Sequence, residues 1–259
     1  MGFQHGDGGG TWKPDPRIRS IFARALDLVF PPHALDGMGT PQSPGLSAEA
    51  WSRVRFISEP LCDGCGAPFE YAMAERCAAC LSRPRAFARA RAAVVYDDAS
   101  RDLILKFKHA DRTDLSRLFA SWIGRAAADL LADADALTPV PMHPGRLLRR
   151  RYNQAAEIAR PLARSRRVLY LPDVLARTRA GESQAGKSAS GRRRNVAGAF
   201  VAQEGACKRI EGRRILLIDD VLTTGATAEA CARALLRAGA AAVDVATVAR
   251  VRDAAEIPI

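Results

Sequence analysis

Apolar positions in this chain follow two rhythms, short unbroken runs and spacings of three and four, and beyond residue 91 the two alternate. The run over residues 92–96 (AAVVY) predicts a buried strand. Helix spacing follows over residues 98–107, carried by Leu103, Ile104 and Phe107. It returns over residues 114–131, where Leu115, Leu118, Phe119, Trp122 and Ile123 share one face. Residues 137–141 (LTPVP) predict a strand ending in prolines, residues 145–152 a basic turn, and residues 153–163 a helix. A strand over 174–176, a polar mobile loop over 177–191 and one helical turn over 192–196 come next. Residues 214–219, 226–238 and 243–248 close the pattern as strand, helix and strand. Strands alternating with helices of this length predict an α/β domain on a parallel sheet, because each parallel pair needs a crossover that a helix supplies.

The part before residue 92 has a different texture. Residues 1–16 are rich in Gly, Asp and Pro without periodicity and predict a disordered tail. Ile18, Ile21, Phe22, Ala25, Leu26 and Val29 then mark an amphipathic helix, stopped by Pro31 and Pro32, whose apolar face suits a neighbouring domain. Residues 31–60 predict loop with one short helix around 48–54. Two CxxC pairs follow, Cys62 with Cys65 and Cys77 with Cys80. Paired knuckles bring four thiolates to one tetrahedral Zn²⁺, and four thiolates leave no open position for water, so the predicted ion is structural. Gly64 and Gly66 allow the turns that the knuckles need. The predicted organisation is therefore a tail over 1–16, a helix and zinc-ribbon region over 17–91, and the α/β domain over 92–252.

Charge alters this picture only modestly. The formal net charge is +11, and it is carried by arginine: Lys13, Lys106, Lys108, Lys187 and Lys208 are the only lysines. That balance favours anionic partners, phosphate-bearing small molecules or nucleic acid, although a general bias toward Arg and Ala gives the same number. No run reaches the roughly 18 apolar residues of a membrane span, so no membrane insertion is expected. The first residues do not form a signal peptide, and Gly6 breaks the myristoylation pattern. Cysteines in CxxC pairs without an export signal read as metal ligands in a reducing compartment, and the expected location is the cytoplasm.

The candidate chemistry lies in residues 214–227, RILLIDDVLTTGAT. An apolar run ends in Asp219 and Asp220, and Thr223, Thr224, Gly225, Ala226 and Thr227 lead into a helical pattern. A strand, a tight loop and a helix N-terminus gather backbone N–H groups and hydroxyls at one point, which suits a phosphate. The loop lacks the Gly-Lys-Ser/Thr ending of a Walker A loop and the three spaced glycines of a dinucleotide fingerprint. Two carboxylates beside a phosphate repel it unless they face hydrogen-bond donors or a Mg²⁺ shell. Phosphate at one end and a polyol at the other describe a ribose 5-phosphate.

These residues resemble the phosphoribosyl pyrophosphate (PRPP) loop of type I phosphoribosyltransferases, and the chain as a whole resembles the ComF family of competence proteins. That family carries cysteine knuckles before such a domain, a turn matching Pro139, Val140, Pro141 and His143, a basic segment matching Arg151, Tyr152, Asn153 and Gln154, and a stretch matching Gln184, Arg192, Asn195, Val196 and Phe200. The resemblance implies a type I phosphoribosyltransferase fold over 92–252 behind a small zinc-ribbon region. It implies that Asp219 and Asp220 face the ribose hydroxyls in the catalytic site. Thr223, Thr224, Gly225, Ala226 and Thr227 would bind PRPP through its 5-phosphate, with Mg²⁺ carried on the pyrophosphate. Arg146 and Arg150 fall in the place of the pyrophosphate loop, and Lys187 lies in the place of a flexible lid over the leaving group. Two departures stand out. Residues 33–39 hold no cysteine, so the first of the family's two knuckles is lost and one zinc site remains, with His33 near a former ligand position. Arg151 stands where many relatives have Gly. The implied activity is PRPP-dependent transfer to an unnamed acceptor, linked to DNA uptake and natural transformation. The alternative is a non-catalytic protein that binds single-stranded DNA or assembles with DNA-uptake proteins.

Overall fold

A computed structural model describes residues 34–36, 45–71, 75–109, 112–178 and 198–252. The predicted tail, the helix over 18–29, His33, Lys187 and the arginines at 192–194 lie outside the described residues. The chain divides into two compact units, residues 1–48 and 49–259. In the first, the buried Asp36 carboxylate accepts from the Ser47 backbone N–H at 2.8 Å and from its hydroxyl at 2.7 Å.

The short helix α1 (Ala48–Arg53) starts at the last residue of the first unit, and α2 (Ala78–Ser82) follows in the second. Next come β1 (Ala90–Val95), α3 (Asp98–His109), α4 (Leu115–Ala126), α5 (Ala128–Asp133) and β2 (Ala136–Pro139). Helices α6 (Pro144–Arg150) and α7 (Gln154–Arg166) lead to β3 (Leu169–Tyr170), β4 (Leu175–Arg177) and β5 (Phe200–Ala202). The unit closes with α8 (Ala206–Ile210), β6 (Arg214–Leu222), α9 (Ala226–Arg237) and β7 (Ala242–Arg250).

Five strands form one sheet in the order β1-β7-β6-β2-β3, every pairing parallel. The expected parallel α/β domain is therefore present. Strands β4 and β5 make a separate antiparallel ribbon. Residues 55–57 run antiparallel along the free edge of β1, through Ile57 N–H to Ala93 O and Val95 N–H to Arg55 O at 2.9 Å each, so that edge is covered. The apolar runs of β6 and β7 are buried, as central parallel strands require. Ile215, Leu217, Val243 and Val245 pack with Leu235 of α9, while α4 and α7 pack against each other. No helix among the described residues is long and apolar enough to cross a membrane.

Four local expectations change. The predicted helix over 114–131 breaks at Ala127, whose φ of −115° and ψ of 33° separate α4 from α5. The basic turn over 145–152 is mostly helix, because Pro144 fixes the first helical φ and His143 Nδ1 accepts from the Gly145 N–H at 3.2 Å. Arg177 belongs to β4 rather than to a loop. Strand β6 runs three residues beyond the predicted end at Asp219, because β7 continues to pair with it through Leu222 and Arg250.

Candidate functional site

The cleft arises from unequal pairing on the two sides of β6. On the β7 side the ladder continues to Leu222. On the β2 side pairing stops at Pro139 and Ile218, with one more bond from the Val140 N–H to Ile218 O at 2.9 Å. Pro141 then lacks the N–H that would continue the ladder, and the two strands part. Connections from β2 lead one way across the sheet, to β3, and those from β6 lead the other way, to β7. A sheet of this kind opens a crevice at such a switch point, beyond the carboxyl ends of the strands. Here it is a cleft of about 350 Å³.

Asp219, Asp220, Thr223 and Thr227 line one wall, and Arg146 and Arg150 line the other. Residues predicted from segments about seventy positions apart thus meet. Thr224, Gly225 and Ala226 do not line the cleft. They form the turn beneath it, where Gly225 takes φ 78° to start α9 and the Thr224 hydroxyl accepts from the Ala226 N–H at 3.4 Å.

The carboxylates sit differently although they are adjacent. Asp220 pairs with Lys108 Nζ at 2.6 Å. Asp219 accepts the Asp220 N–H at 2.9 Å, yet burial and the neighbouring Asp220 charge push its carboxyl up to about 7, against a partial pull downward by Lys108 and Arg177. Asn153 ties the other wall together. Its amide donates to Val140 O at 3.0 Å, and its oxygen caps α7 by accepting from the Ala155 N–H at 3.1 Å. The next residue, Gln154, is buried against the cleft, and its amide Nε2 has no partner among the described residues. A buried orphan donor beside two arginines at a helix N-terminus suits an anion.

Lys108 and Arg177 line the same cleft and were not predicted. Lys108 is held from behind by aromatic packing. Phe107 stacks edge-on with Phe119 at 5.3 Å and lies 5.9 Å from the Tyr152 ring, and the Tyr152 hydroxyl donates to Phe107 O. In a chain so poor in lysine, a lysine at a helix end was the available signal. Arg177 lies 5.3 Å from the centre of the Phe200 ring, and burial together with the Arg146 charge lowers its pKa. Its apparent place in a mobile loop concealed it.

The cysteine quartet forms a second site. The sulfurs of Cys62, Cys65, Cys77 and Cys80 all lie within 4.8 Å of one another, and those of Cys65 and Cys77 are 3.7 Å apart. A tetrahedral ion with bonds of about 2.3 Å spaces its sulfurs at about 3.8 Å, so the quartet fits a Zn²⁺. The Cys77 N–H donates to the Cys62 sulfur at 3.2 Å. Burial opposes ionisation of Cys62, but this bond and the others around the sulfur outweigh it and bring the thiol down to about 7. Only Gly66, at φ 68°, supplies the left-handed turn, and a Cβ there would lie 2.6 Å from Ala90 O. Gly64 serves instead by lying close to Cys80, whose sulfur would be 3.3 Å from an added Cβ.

The fold and the crevice at its switch point define a phosphoribosyltransferase-type domain, and a phosphoribosyl transferase domain family matches residues 155–258. The chain is 33% identical over 199 residues to the DNA utilization protein YhgH of Escherichia coli K12, covering 75% of this chain and 86% of that protein. It is 30% identical over 198 residues to Competence protein F of Haemophilus influenzae, covering 74% and 86%. It belongs to the ComF family of competence proteins. Among solved structures it is similar to the adenine phosphoribosyltransferase of Thermoanaerobacter pseudethanolicus, at 17% identity and a TM-score of 0.33, covering 57% of this chain and 84% of that one.

Proposed function

We propose that this protein binds PRPP with Mg²⁺ in the cleft between β2 and β6 and transfers its phosphoribosyl group to an acceptor. One observation carries the reading: two carboxylates of β6, two threonine hydroxyls of the turn and helix that follow it, and two arginines of α6 line the same cleft. Thr223 and Thr227 and the N-terminal N–H groups of α9 hold the 5-phosphate. Asp219 and Asp220 accept hydrogen bonds from the ribose hydroxyls. Arg146, Arg150 and the orphan amide of Gln154 face the pyrophosphate. Lys108 lines the cleft and pairs with Asp220 at 2.6 Å, so it orients that carboxylate before the ligand arrives. In the transfer the bond from C1 to the pyrophosphate oxygen breaks, its electron pair leaves with pyrophosphate, and the acceptor's lone pair forms the new bond at C1. The arginines stabilise the departing charge. Mg²⁺, when bound, neutralises part of the charge on the pyrophosphate.

One structural Zn²⁺ at Cys62, Cys65, Cys77 and Cys80 accompanies this activity, in a ribbon region over 17–91 ahead of the transferase domain over 92–252. Cysteines in two CxxC pairs suit metal binding in a reducing compartment, and the cytoplasm is the location proposed. Relatives named for DNA utilization and competence support a role in DNA uptake, with single-stranded DNA or an uptake protein as partner.

Calorimetry on the zinc-loaded protein tests the reading, with PRPP–Mg²⁺ and with a single-stranded oligonucleotide, on wild type and on an Asp219→Asn/Asp220→Asn variant. The expected result is PRPP binding that the double variant loses. No PRPP binding to wild type overturns the enzyme reading, and oligonucleotide binding alone, weakening with salt, favours the DNA-binding alternative.

A further inference from the structure

Arg85 lies between the two sites and belongs to neither. It follows Cys80 by five residues, after the end of α2 and Pro84. Its Nη1 donates to the backbone carbonyl of Thr224 at 2.9 Å and to Glu229 Oε1 at 2.8 Å. Both acceptors lie behind the proposed phosphate end of the cleft: Thr224 in the turn and Glu229 in the first turn of α9. Glu229 is buried, and its other oxygen meets Arg233 at 3.2 Å and Arg83 at 3.5 Å. An unpaired carboxylate in the first turn of this helix would repel a phosphate at its N-terminus, so the surrounding arginines let both anions occupy one helix end.

The metal side of Arg85 is equally specific. Its buried Nε has no partner among the described residues. The chain runs from Cys80 to Arg85 in five residues, so the metal end of the link is the peptide segment itself. Gly225 and Arg85 are also in close register, since a Cβ on Gly225 would lie 3.2 Å from Arg85 Nη1 and 3.7 Å from the Phe87 ring. A second tie joins the quartet to the sheet, from the Arg250 guanidinium of β7 to the Cys65 carbonyl.

We propose that Arg85 is a positioning residue that couples metal binding at the cysteine quartet to phosphate binding at the Thr223–Thr227 turn. The inference rests on the phosphoribosyl reading of the cleft. With a metal holding Cys77 and Cys80, the chain entering Pro84 is fixed and Arg85 keeps the Thr224 carbonyl and Glu229 in place. Without the metal the chain before Pro84 loses its hold on the quartet, while Phe87 stays buried and the Ala88 N–H stays bonded to Val243 O, so Arg85 holds the Thr224 carbonyl and Glu229 less firmly. A metal that favours the ligand must be favoured by the ligand to the same factor.

The test uses the full chain loaded with zinc. Zinc release to a colorimetric chelator is timed with and without saturating PRPP–Mg²⁺, and PRPP–Mg²⁺ and ribose 5-phosphate affinities are measured by calorimetry, for wild type, Arg85→Ala and Arg85→Lys. Circular dichroism and zinc content confirm that each variant is folded and loaded. In wild type the ligand is expected to slow zinc release at least about fivefold. Arg85→Ala should lose that protection and bind ligand about tenfold more weakly while still holding one zinc, and Arg85→Lys should recover part of both. Ligand binding to wild type with unchanged zinc release overturns the coupling alone. Wild-type affinity and protection in Arg85→Ala also overturn it. If neither ligand binds wild type, the phosphoribosyl reading falls and the coupling falls with it.

Discussion

The two ends of the parallel sheet treat buried charge in opposite ways. At the amino end, Asp244 of β7 is buried and matched, with Arg89 at 2.9 Å and Arg214 at 3.0 Å on the same oxygen. Arg89 reaches Asp133 at 2.7 Å as well. At the carboxyl end, Asp219 and Asp220 stand side by side: Asp220 pairs with Lys108 at 2.6 Å, while Asp219 accepts the Asp220 N–H at 2.9 Å and burial beside the Asp220 charge pushes its carboxyl up. A saturated cluster is what stability selects. An unsaturated one, in a cleft, waits for a partner from outside the chain.

Breaking the amino end should give the largest effect on stability. Asp244→Ala leaves Arg89 and Arg214 without their shared partner. Removing one member of a buried ion pair costs about 3–5 kcal/mol, and because both arginines are partly exposed the lower value, about 3 kcal/mol, is expected. Thermal unfolding should then fall by roughly 6–12 °C. Calorimetry on the folded variant should return wild-type affinity for PRPP–Mg²⁺. An affinity that falls along with the melting temperature would mean that the two ends are not separate devices.

The opposite substitution sharpens the contrast. Asp219 holds its proton up to about 7 in the folded chain, above the carboxylate value of about 4 expected when unfolded. The folded state therefore binds the proton more tightly. It has this advantage in full below about pH 4 and loses it as the pH rises through about 7. Asp219→Asn removes that loss. At pH 8 the variant should be more stable than wild type by on the order of 2 kcal/mol, a value reduced for solvent screening, and the gap should close toward pH 4. Ligand affinity should drop at least tenfold in the same protein. A variant less stable than wild type at pH 8 would show that the Asp219 charge is already satisfied within the chain.

How far each end was legible in the sequence follows from the same contrast. The runs at 92–96 and 214–219 announced β1 and β6, because central parallel strands need uniformly apolar residues. The tandem aspartates marked the cleft because adjacent acids on such a strand have no structural use. The quartet was legible from its paired spacing. What stayed hidden depends on pairing between distant segments. The end of β6 is set by β7, Arg85 and Lys108 by partners more than a hundred positions away, and Arg177 by the ring of Phe200 on the neighbouring strand of the ribbon. Arg177 lies closest of the three to its packing partner, 23 residues from Phe200, yet its cleft neighbours Arg146 and Asp219 are 31 and 42 residues away.

A smaller test probes the turn that links the carboxyl end to the quartet. Gly225 has φ 78°, where a side chain costs about 1–2 kcal/mol. Gly225→Ala should lower stability by about that amount and weaken phosphate binding, since its Cβ would press on Arg85 at 3.2 Å. Unchanged ribose 5-phosphate affinity in this variant would separate turn geometry from ligand binding.

The smallest expected effect divides the two ends most cleanly. Arg151 and Arg167 are the non-glycine residues at positive φ among the described residues, 64° and 57°, and each caps the C-terminus of a helix. Arg167 follows α7, on the way to β3 at the amino side of the sheet. Arg151 follows α6, between the cleft-lining Arg150 and Asn153. Glycine relieves the left-handed strain but adds freedom to the unfolded chain, so each change to glycine should gain only about 0.5–1 kcal/mol, a rise of about 1–4 °C. Arg167→Gly should show this gain with ligand affinity unchanged. Arg151→Gly should show a smaller gain, since its side chain has an interaction to lose, with altered PRPP affinity, because Arg150 and Asn153 on either side of it line the cleft. Equal affinities in the two variants would mean that the α6–α7 junction carries no part of the site, and that the unsaturated character of the carboxyl end is confined to β6.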